Sequence, residues 1–441
     1  MPSTLIRNAT IVTMNDRRDV VTGAVSVRDG RIASVGPEPA ATHDRTLDAE
    51  GGYLLPGFIQ THLHLCQTLF RGYADDLKLM DWLRQRIWPM EAAHNEASLR
   101  AAARLACLEL LRSGTTAILT METVDATDAV FGAAAATGIR ATIGKCMMDA
   151  SPDAPRRLQE STRRSIDESL ALHRRWHGTS GGRIRAAFAP RFAVSCSREL
   201  LTAVASLAQS EQTLVHTHAA EQRDEIEIVW RATGLSNIEY LAEVGLASPR
   251  LCAAHCVWVD EREQAILAAH DVKVMHCPGS NLKLGSGIAP VADMLARGIS
   301  VSLGADGAAC NNHLDMFGEM RLAATLQAVK REPGALPAQQ ALWMATRSGA
   351  RTLGLEEEIG SVETGKRADL ILIDNRRAHQ APGADPYSTI VYATRPDEVR
   401  MTMVDGEILV DEFAATRLDE REIAEDARRE ARALLARCAL R

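Results

Sequence analysis

Histidines and acids in this chain stand where apolar runs end, a position from which side chains can do chemistry. The run Pro56-Gly57-Phe58-Ile59-Gln60-Thr61 closes on His62-Leu63-His64. Side chains alternate along a strand, so His62 and His64 point to the same side. Two imidazoles on one face are the beginning of a metal site. A second run closes on His216-Thr217-His218-Ala219-Ala220-Glu221, a third carries His255, a fourth ends at His276 and a fifth reaches Asp306. His62, His64, one of His216 and His218, and Asp306 supply three nitrogens and one oxygen. That set suits a catalytic divalent ion with one position left open for water, whose pKa such an ion lowers towards neutrality. Glu221 lies three residues past His218, so it can face the same point and shuttle protons. His255 can hold the nucleophile or polarise the electrophile, and Asp306 can take a proton from water. Any one of these residues alone reads as a buried core residue; their joint placement at strand ends points to one centre. His276 and His313 are candidates for orienting the ligands from behind.

Residues this far apart in sequence meet only if the fold brings strand ends together. From about 55 to 355, short apolar strands alternate with longer helical stretches, which implies a parallel sheet of the α/β class. The predicted strands are Gly57–His64, Thr115–Met121, Arg140–Met147, Arg183–Pro190, Gln212–His218, Leu251–Cys256, Val272–His276 and Ile299–Gly304. Amphipathic segments such as Ser98–Leu111, Leu158–Arg175, Arg198–Gln209 and Glu261–Ala269 lie between them. This repeat predicts a (β/α)8 TIM barrel over residues 55–359, with its active site at the C-terminal strand ends. Residues 1–54 read as short strands, with Asp29-Gly30 as a hairpin turn, and residues 360–415 open a second strand-rich piece. Neither piece has strands enough to bury a core alone, so the two are expected to combine into one β-sandwich. Residues 416–441 predict a charged C-terminal helix with no catalytic role.

Composition narrows the function. The chain has 441 residues, 46% of them hydrophobic and 24% charged, as in ordinary globular proteins. The net charge of -7 and the lack of a basic tract argue against nucleic acid as a partner. No apolar run approaches the ~20 residues of a membrane helix. Met1–Arg7 carries no signal-peptide core. The nine cysteines include no Cys-x-x-Cys pair, so reduced thiols and a cytoplasmic location are expected. Cys252 and Cys256, flanking His255, read as small core residues.

Several longer motifs carry a resemblance. They are Pro56-Gly57-Phe58-Ile59-x-x-His62-x-His64, His218-x-x-Glu221, Ala254-His255-Cys256, His276-Cys277-Pro278-x-Ser280-Asn281 and Gly304-x-Asp306-Gly307. With Gly360-x-x-x-x-Gly365-Lys366-x-Ala368-Asp369-Leu370, they resemble the amidohydrolase superfamily over nearly the whole chain. The branch they resemble deaminates nucleobases and nucleosides or dechlorinates triazines. The resemblance implies zinc, with iron as the variant, on His62, His64, His218 and Asp306. It makes Glu221, His255 and Asp306 catalytic, and it suggests a homodimer. Binuclear members carry a carbamylated lysine on the fourth strand; here that strand ends Ala189-Pro190-Arg191-Phe192, so one metal is expected.

Two patterns compete over the substrate, a small nitrogen heterocycle in either case. Leu69-Phe70-Arg71-Gly72 through Trp88-Pro89-Met90-Glu91 resembles adenosylhomocysteine and methylthioadenosine deaminases, in which a glutamate at the position of Glu91 is expected to grip ribose hydroxyls. That branch usually has histidine at the position of Arg191. Gln67, Gly144-Lys145-x-x-Met148-Asp149 and Pro190-Arg191-Phe192-Ala193-x-Ser195 resemble guanine deaminase instead, where the matching Gln67, Arg191 and Phe192 hold the base. An arginine fork suits a ring carbonyl, a glutamine amide a donor–acceptor edge, and an aromatic ring a stacked heterocycle. The sequence therefore favours hydrolytic deamination of guanine or a related 2-amino-4-oxo ring, such as 8-oxoguanine or a pterin. The alternative is an adenosylhomocysteine/methylthioadenosine deaminase or an s-triazine hydrolase. A non-enzymatic scaffold on the same fold fits poorly with a full ligand set and an intact Glu221. Lys145 is expected either at the mouth or paired with Asp149.

Overall fold

The computed structural model describes residues 2–438. Eight parallel strands follow one another around a barrel: β1 (Phe58–His64), β2 (Thr115–Met121), β3 (Arg140–Met147), β4 (Ile184–Pro190), β5 (Val215–Ala219), β6 (Leu251–His255), β7 (Lys273–His276) and β8 (Val301–Leu303). A short continuation of β8, Asp306–Gly307, pairs back onto Leu63 and His64 of β1 and closes the ring. Closure demands glycine at 304, where a Cβ would lie 2.6 Å from the His62 carbonyl oxygen. The interior holds Ile59, Ala117, Leu119, Ala187, Ala254 and Met275, contributed by β1, β2, β4, β6 and β7. These strands are buried on both faces, which explains their continuous apolar runs. Helices such as Glu96–Arg112, Thr162–Trp176, Arg198–Ser210 and Glu261–Ala269 separate the strands. Their starts are fixed by side-chain caps from Asn95, Ser161, Ser197 and Asp260 to backbone N–H groups three residues on.

β2 and β3 keep the expected bounds, and the other strands move by one to three residues, chiefly β5, where Gln212–Leu214 lie outside the strand. The flanking β pieces do combine, but as one continuous nine-stranded mixed sheet rather than two facing sheets. Tyr53–Pro56 is paired on both sides, parallel to Thr4–Val12 and antiparallel to Leu370–Ile373, so the N- and C-terminal halves share hydrogen bonds. The sheet curls over its own core of Ile6, Ile11, Val27, Leu54, Leu370 and Met401 until the Gly406 turn meets Gly30. Arg140, at the start of β3, donates to Asp369 at 2.8 Å and to Asp405 at 2.9 Å, tying barrel to sheet through a buried ion network. Beyond the sheet, the helix Glu420–Arg437 packs on Glu96–Arg112. No helix among the described residues is long and apolar enough to cross a membrane.

Candidate active site

Four imidazoles meet at the C-terminal mouth of the barrel, each fixed from behind. His64 Nδ1 lies 2.7 Å from the Met121 carbonyl oxygen, and His218 Nδ1 lies 2.7 Å from that of Arg191. His255 Nδ1 is 2.8 Å from Asn281 Oδ1, and His62 Nδ1 is 2.6 Å from His216 Nε2. Anchoring the Nδ1 side leaves the Nε2 atoms facing one another. His64 Nε2 and His218 Nε2 are 3.2 Å apart, and Asp306 Oδ1 lies 3.3 Å from both His62 Nε2 and His64 Nε2. Donor atoms of His62, His64 and His218 fall within 4.8 Å of one another, as do those of His62, His255 and Asp306. The buried Nε2 atoms of His62 and His255 have no hydrogen-bond partner, a cost that a cation removes. These residues therefore fit a divalent ion. Burial lowers His62 to about 4 and holds His218 well below the usual histidine range, so both are neutral at neutral pH and can offer a lone pair to a cation. His64 runs the other way: burial opposes it, but hydrogen bonding and the charge of Asp306 raise it.

The acids are held as firmly as the ligands. Asp306 Oδ2 accepts from Ser280 Oγ at 2.7 Å, and Oδ1 accepts from the Gly307 N–H at 2.7 Å. Glu221 Oε1 accepts from Ser286 Oγ at 3.2 Å, while its Oε2 lies 3.7 Å from His255 Nε2. Burial raises the Glu221 carboxyl to about 7, which suits a group that must both hold and release a proton. His255 and Asp306 sit at φ of 71° and 63°, in the left-handed region that residues with a Cβ rarely occupy. Such strain gathers at functional sites, where the surrounding bonds hold it in place.

A cavity of about 370 Å³, including its open mouth, lies over this centre. His64, His218, Glu221 and Asp306 form its floor, Gln67, Arg191 and Phe192 one side, and Leu79, Trp82, Leu83 and Leu284 an apolar wall. Leu79, Trp82 and Leu83 of this wall belong to a helical segment spanning 79–92, which widens into a π turn at Leu83–Ile87 before Glu91. Arg191 grips Glu91 with both guanidinium arms, Nη1 to Oε2 at 2.6 Å and Nη2 to Oε1 at 3.2 Å. Gln67 Nε2 donates to the same carboxylate at 3.1 Å, leaving Gln67 Oε1 buried without a partner.

This pairing bears on two sequence expectations at once. Glu91 takes one N–H from each Nη of Arg191, while Arg191 still lines the cavity. Glu91 in turn stands behind Gln67 and Arg191 rather than on the cavity wall. Of the alternatives at β5, His218 faces the centre and His216 stands behind His62. His276 is fully buried with neither ring nitrogen bonded, whereas His313 is half-exposed and pairs with Asp315 at 3.1 Å, away from the ligands. Lys145 pairs with Glu160 at 2.6 Å, and Asp149 is taken up by Thr162 and Ser197. Sequence reasoning gave no role to Ser280, Asn281 and Ser286; the first two stand inside the His276-Cys277-Pro278 motif, which was their only signal.

Comparison with known proteins agrees with this geometry. The Amidohydrolase family matches residues 53–409. A 5'-deoxyadenosine deaminase of Methanosarcina acetivorans is 38% identical over 99% of both chains. A 5-methylthioadenosine/S-adenosylhomocysteine deaminase of Pelotomaculum thermopropionicum is 39% identical over 99% of this chain and 100% of its own. Among solved structures, a zinc-bound adenosine deaminase from Xanthomonas campestris superposes with a TM-score of 0.91, at 32% identity and 98% coverage of each chain. A guanine-bound guanine deaminase from C. acetobutylicum reaches 0.83 at 25% identity, covering 92% of this chain and 99% of its own. With the barrel, the ligand cluster and matches over nearly its full length, the chain belongs to the amidohydrolase family and is a hydrolytic enzyme.

Proposed function

We propose that this enzyme hydrolytically deaminates adenosine-type nucleosides whose 5' position is deoxygenated or thio-substituted, with zinc held by His62, His64, His218 and Asp306. The observation that carries this reading over a guanine-type one is the Arg191–Glu91 pair. A 2-amino-4-oxo ring is held by arginine donors, and here both Nη groups of Arg191 already donate to a carboxylate. A nucleoside needs acceptors and donors for its sugar hydroxyls. The unpartnered Gln67 Oε1, flanked by Arg191, meets that need. The apolar wall of Leu79, Trp82, Leu83 and Leu284 suits a 5' substituent without charge. The full-length likeness to 5'-deoxyadenosine and methylthioadenosine deaminases supports the same choice.

A divalent ion held by His62, His64, His218 and Asp306 would lower the pKa of a water at the cavity floor. The chain's own residues do the rest. Glu221, protonated up to about pH 7 by burial, delivers a proton to the ring nitrogen beside the amino-bearing carbon. His255, anchored on Asn281, directs Nε2 towards Glu221 and Asp306. Asp306, steadied by Ser280, receives the proton given up by water and passes it to the amino group, which leaves as ammonia while the carbon-bound hydroxyl returns a proton to Glu221.

The sugar contact gives the test. Ammonia release from 5'-deoxyadenosine is compared with that from 2',3',5'-trideoxyadenosine on the zinc-loaded protein. Sites built to bond a hydroxyl reject analogues lacking it by up to about 10⁴-fold, and a drop in kcat/KM of at least about 10²-fold is expected. Equal turnover of the two contradicts nucleoside recognition. Gln67→Leu is expected to raise KM for the nucleoside roughly tenfold, the equivalent of about 1–1.5 kcal/mol for a lost hydrogen bond, with kcat little changed. Steady-state kinetics on both proteins reads this directly.

A further inference from the structure

His216 is absorbed by neither the ligand set nor the proposed reaction, yet it makes a short contact at the centre. His64 and His218 are each anchored through Nδ1 by a backbone carbonyl, and His255 by an amide oxygen. A backbone carbonyl can only accept, so the His64 and His218 rings each carry a proton on Nδ1. His62 differs, because its Nδ1 meets the imidazole nitrogen of His216, 2.6 Å away. An imidazole nitrogen can either accept or donate, so this contact alone does not fix the tautomer of His62.

Two arrangements are open to the pair. In one, His216 Nε2–H donates to His62 Nδ1, and the His62 proton sits on Nε2, facing Asp306 Oδ1 at 3.3 Å. In the other, His62 Nδ1–H donates to His216 Nε2, and the proton of His216 moves to its own Nδ1. That atom is buried without a partner. Only the second arrangement leaves His62 Nε2 free to bind a cation. Both rings are fully buried and cross edge-to-face with centroids 4.9 Å apart, so neither can swing away to water.

We propose that His216 is a positioning residue that accepts the Nδ1 proton of His62, and so sets the tautomer of that ligand and the zinc affinity of the site. Its role is to supply an acceptor at the position of Nε2, not to contact metal or substrate. Glutamine can place an amide oxygen at the same point, whereas phenylalanine fills similar space without an acceptor.

The test is zinc affinity and release rate, read by competition with a chromophoric chelator on the full-length protein, which does not depend on any substrate. Partners that orient metal-binding histidines typically contribute 10–100-fold in affinity. His216→Phe is expected to lose about that much, and His216→Gln to recover most of it. Urea unfolding of the metal-free proteins tells an acceptor effect from a packing defect. Wild-type affinity in His216→Phe, or equal losses in both variants, overturns the proposal. Should His216→Phe not fold, His216→Gln decides alone: it must retain zinc, and its failure to do so overturns the assignment. Failure of the nucleoside assay with zinc affinities behaving as expected would count against the substrate reading only.

Discussion

Glu221→Gln is expected to lower kcat by about 10²–10⁴-fold while zinc content stays at the wild-type level. The side chain lines the cavity floor, is not among the proposed ligands, and is held by Ser286 Oγ, so an amide fits its place. What the amide cannot do is give up and regain a proton. The same reasoning sets the pH profile. Burial raises this carboxyl to about 7, so its proton is present below that pH and lost above it. For wild type, the rate of the step that needs the protonated acid falls as pH rises through about 7. In Glu221→Gln the residual rate loses that limb. A pH–rate profile for both proteins, with zinc measured in parallel, checks the expectation.

The Glu91–Arg191 pair carries the largest expected effect on stability. Both side chains are buried, at 2% and 5% exposure, so removing one leaves the other charge in the interior without its partner. Such cuts cost about 3–5 kcal/mol. Arg191→Met and Glu91→Leu are each expected to destabilise the metal-free protein by that amount in urea unfolding. The double variant should recover much of the loss, because apolar groups of similar volume replace a buried ion pair at little cost. Activity should not recover with it. Gln67 Nε2 loses its acceptor when Glu91 is gone, and the polar side of the cavity is lost. A double variant as unstable as the sum of the singles would contradict the coupling.

The ligand cluster was legible because its residues stand at the ends of apolar runs, and a parallel barrel gathers all such ends at one mouth. His62 and His64 both project into the centre, as the alternation of a strand requires. The same alternation gave His216 and His218 the same face and could not choose between them. The choice is made by where β1 and β5 lie against each other, which sets one ring behind His62 and the other beside His64. The pairing of Glu91 with Arg191 joins residues 100 positions apart on a helical segment and a strand end. Each side chain read singly suggested a different substrate; only the fold shows that the two are paired. Likewise, the strained backbone at His255 and Asp306 has no glycine or asparagine to announce it. The continuous flanking sheet depends on Tyr53–Pro56 meeting Leu370–Ile373, more than 300 residues away, and local pattern carries no register over that span.

The measurement that bears most directly on the central claim is kcat/KM of the zinc-loaded enzyme for 5'-deoxyadenosine and for guanine, by ammonia release under one set of conditions. With Arg191 committed to Glu91, 5'-deoxyadenosine is expected to turn over at least about 10²-fold more efficiently. Guanine turned over as well as or better than the nucleoside would mean that Arg191 leaves Glu91 to hold the base, and would contradict the account.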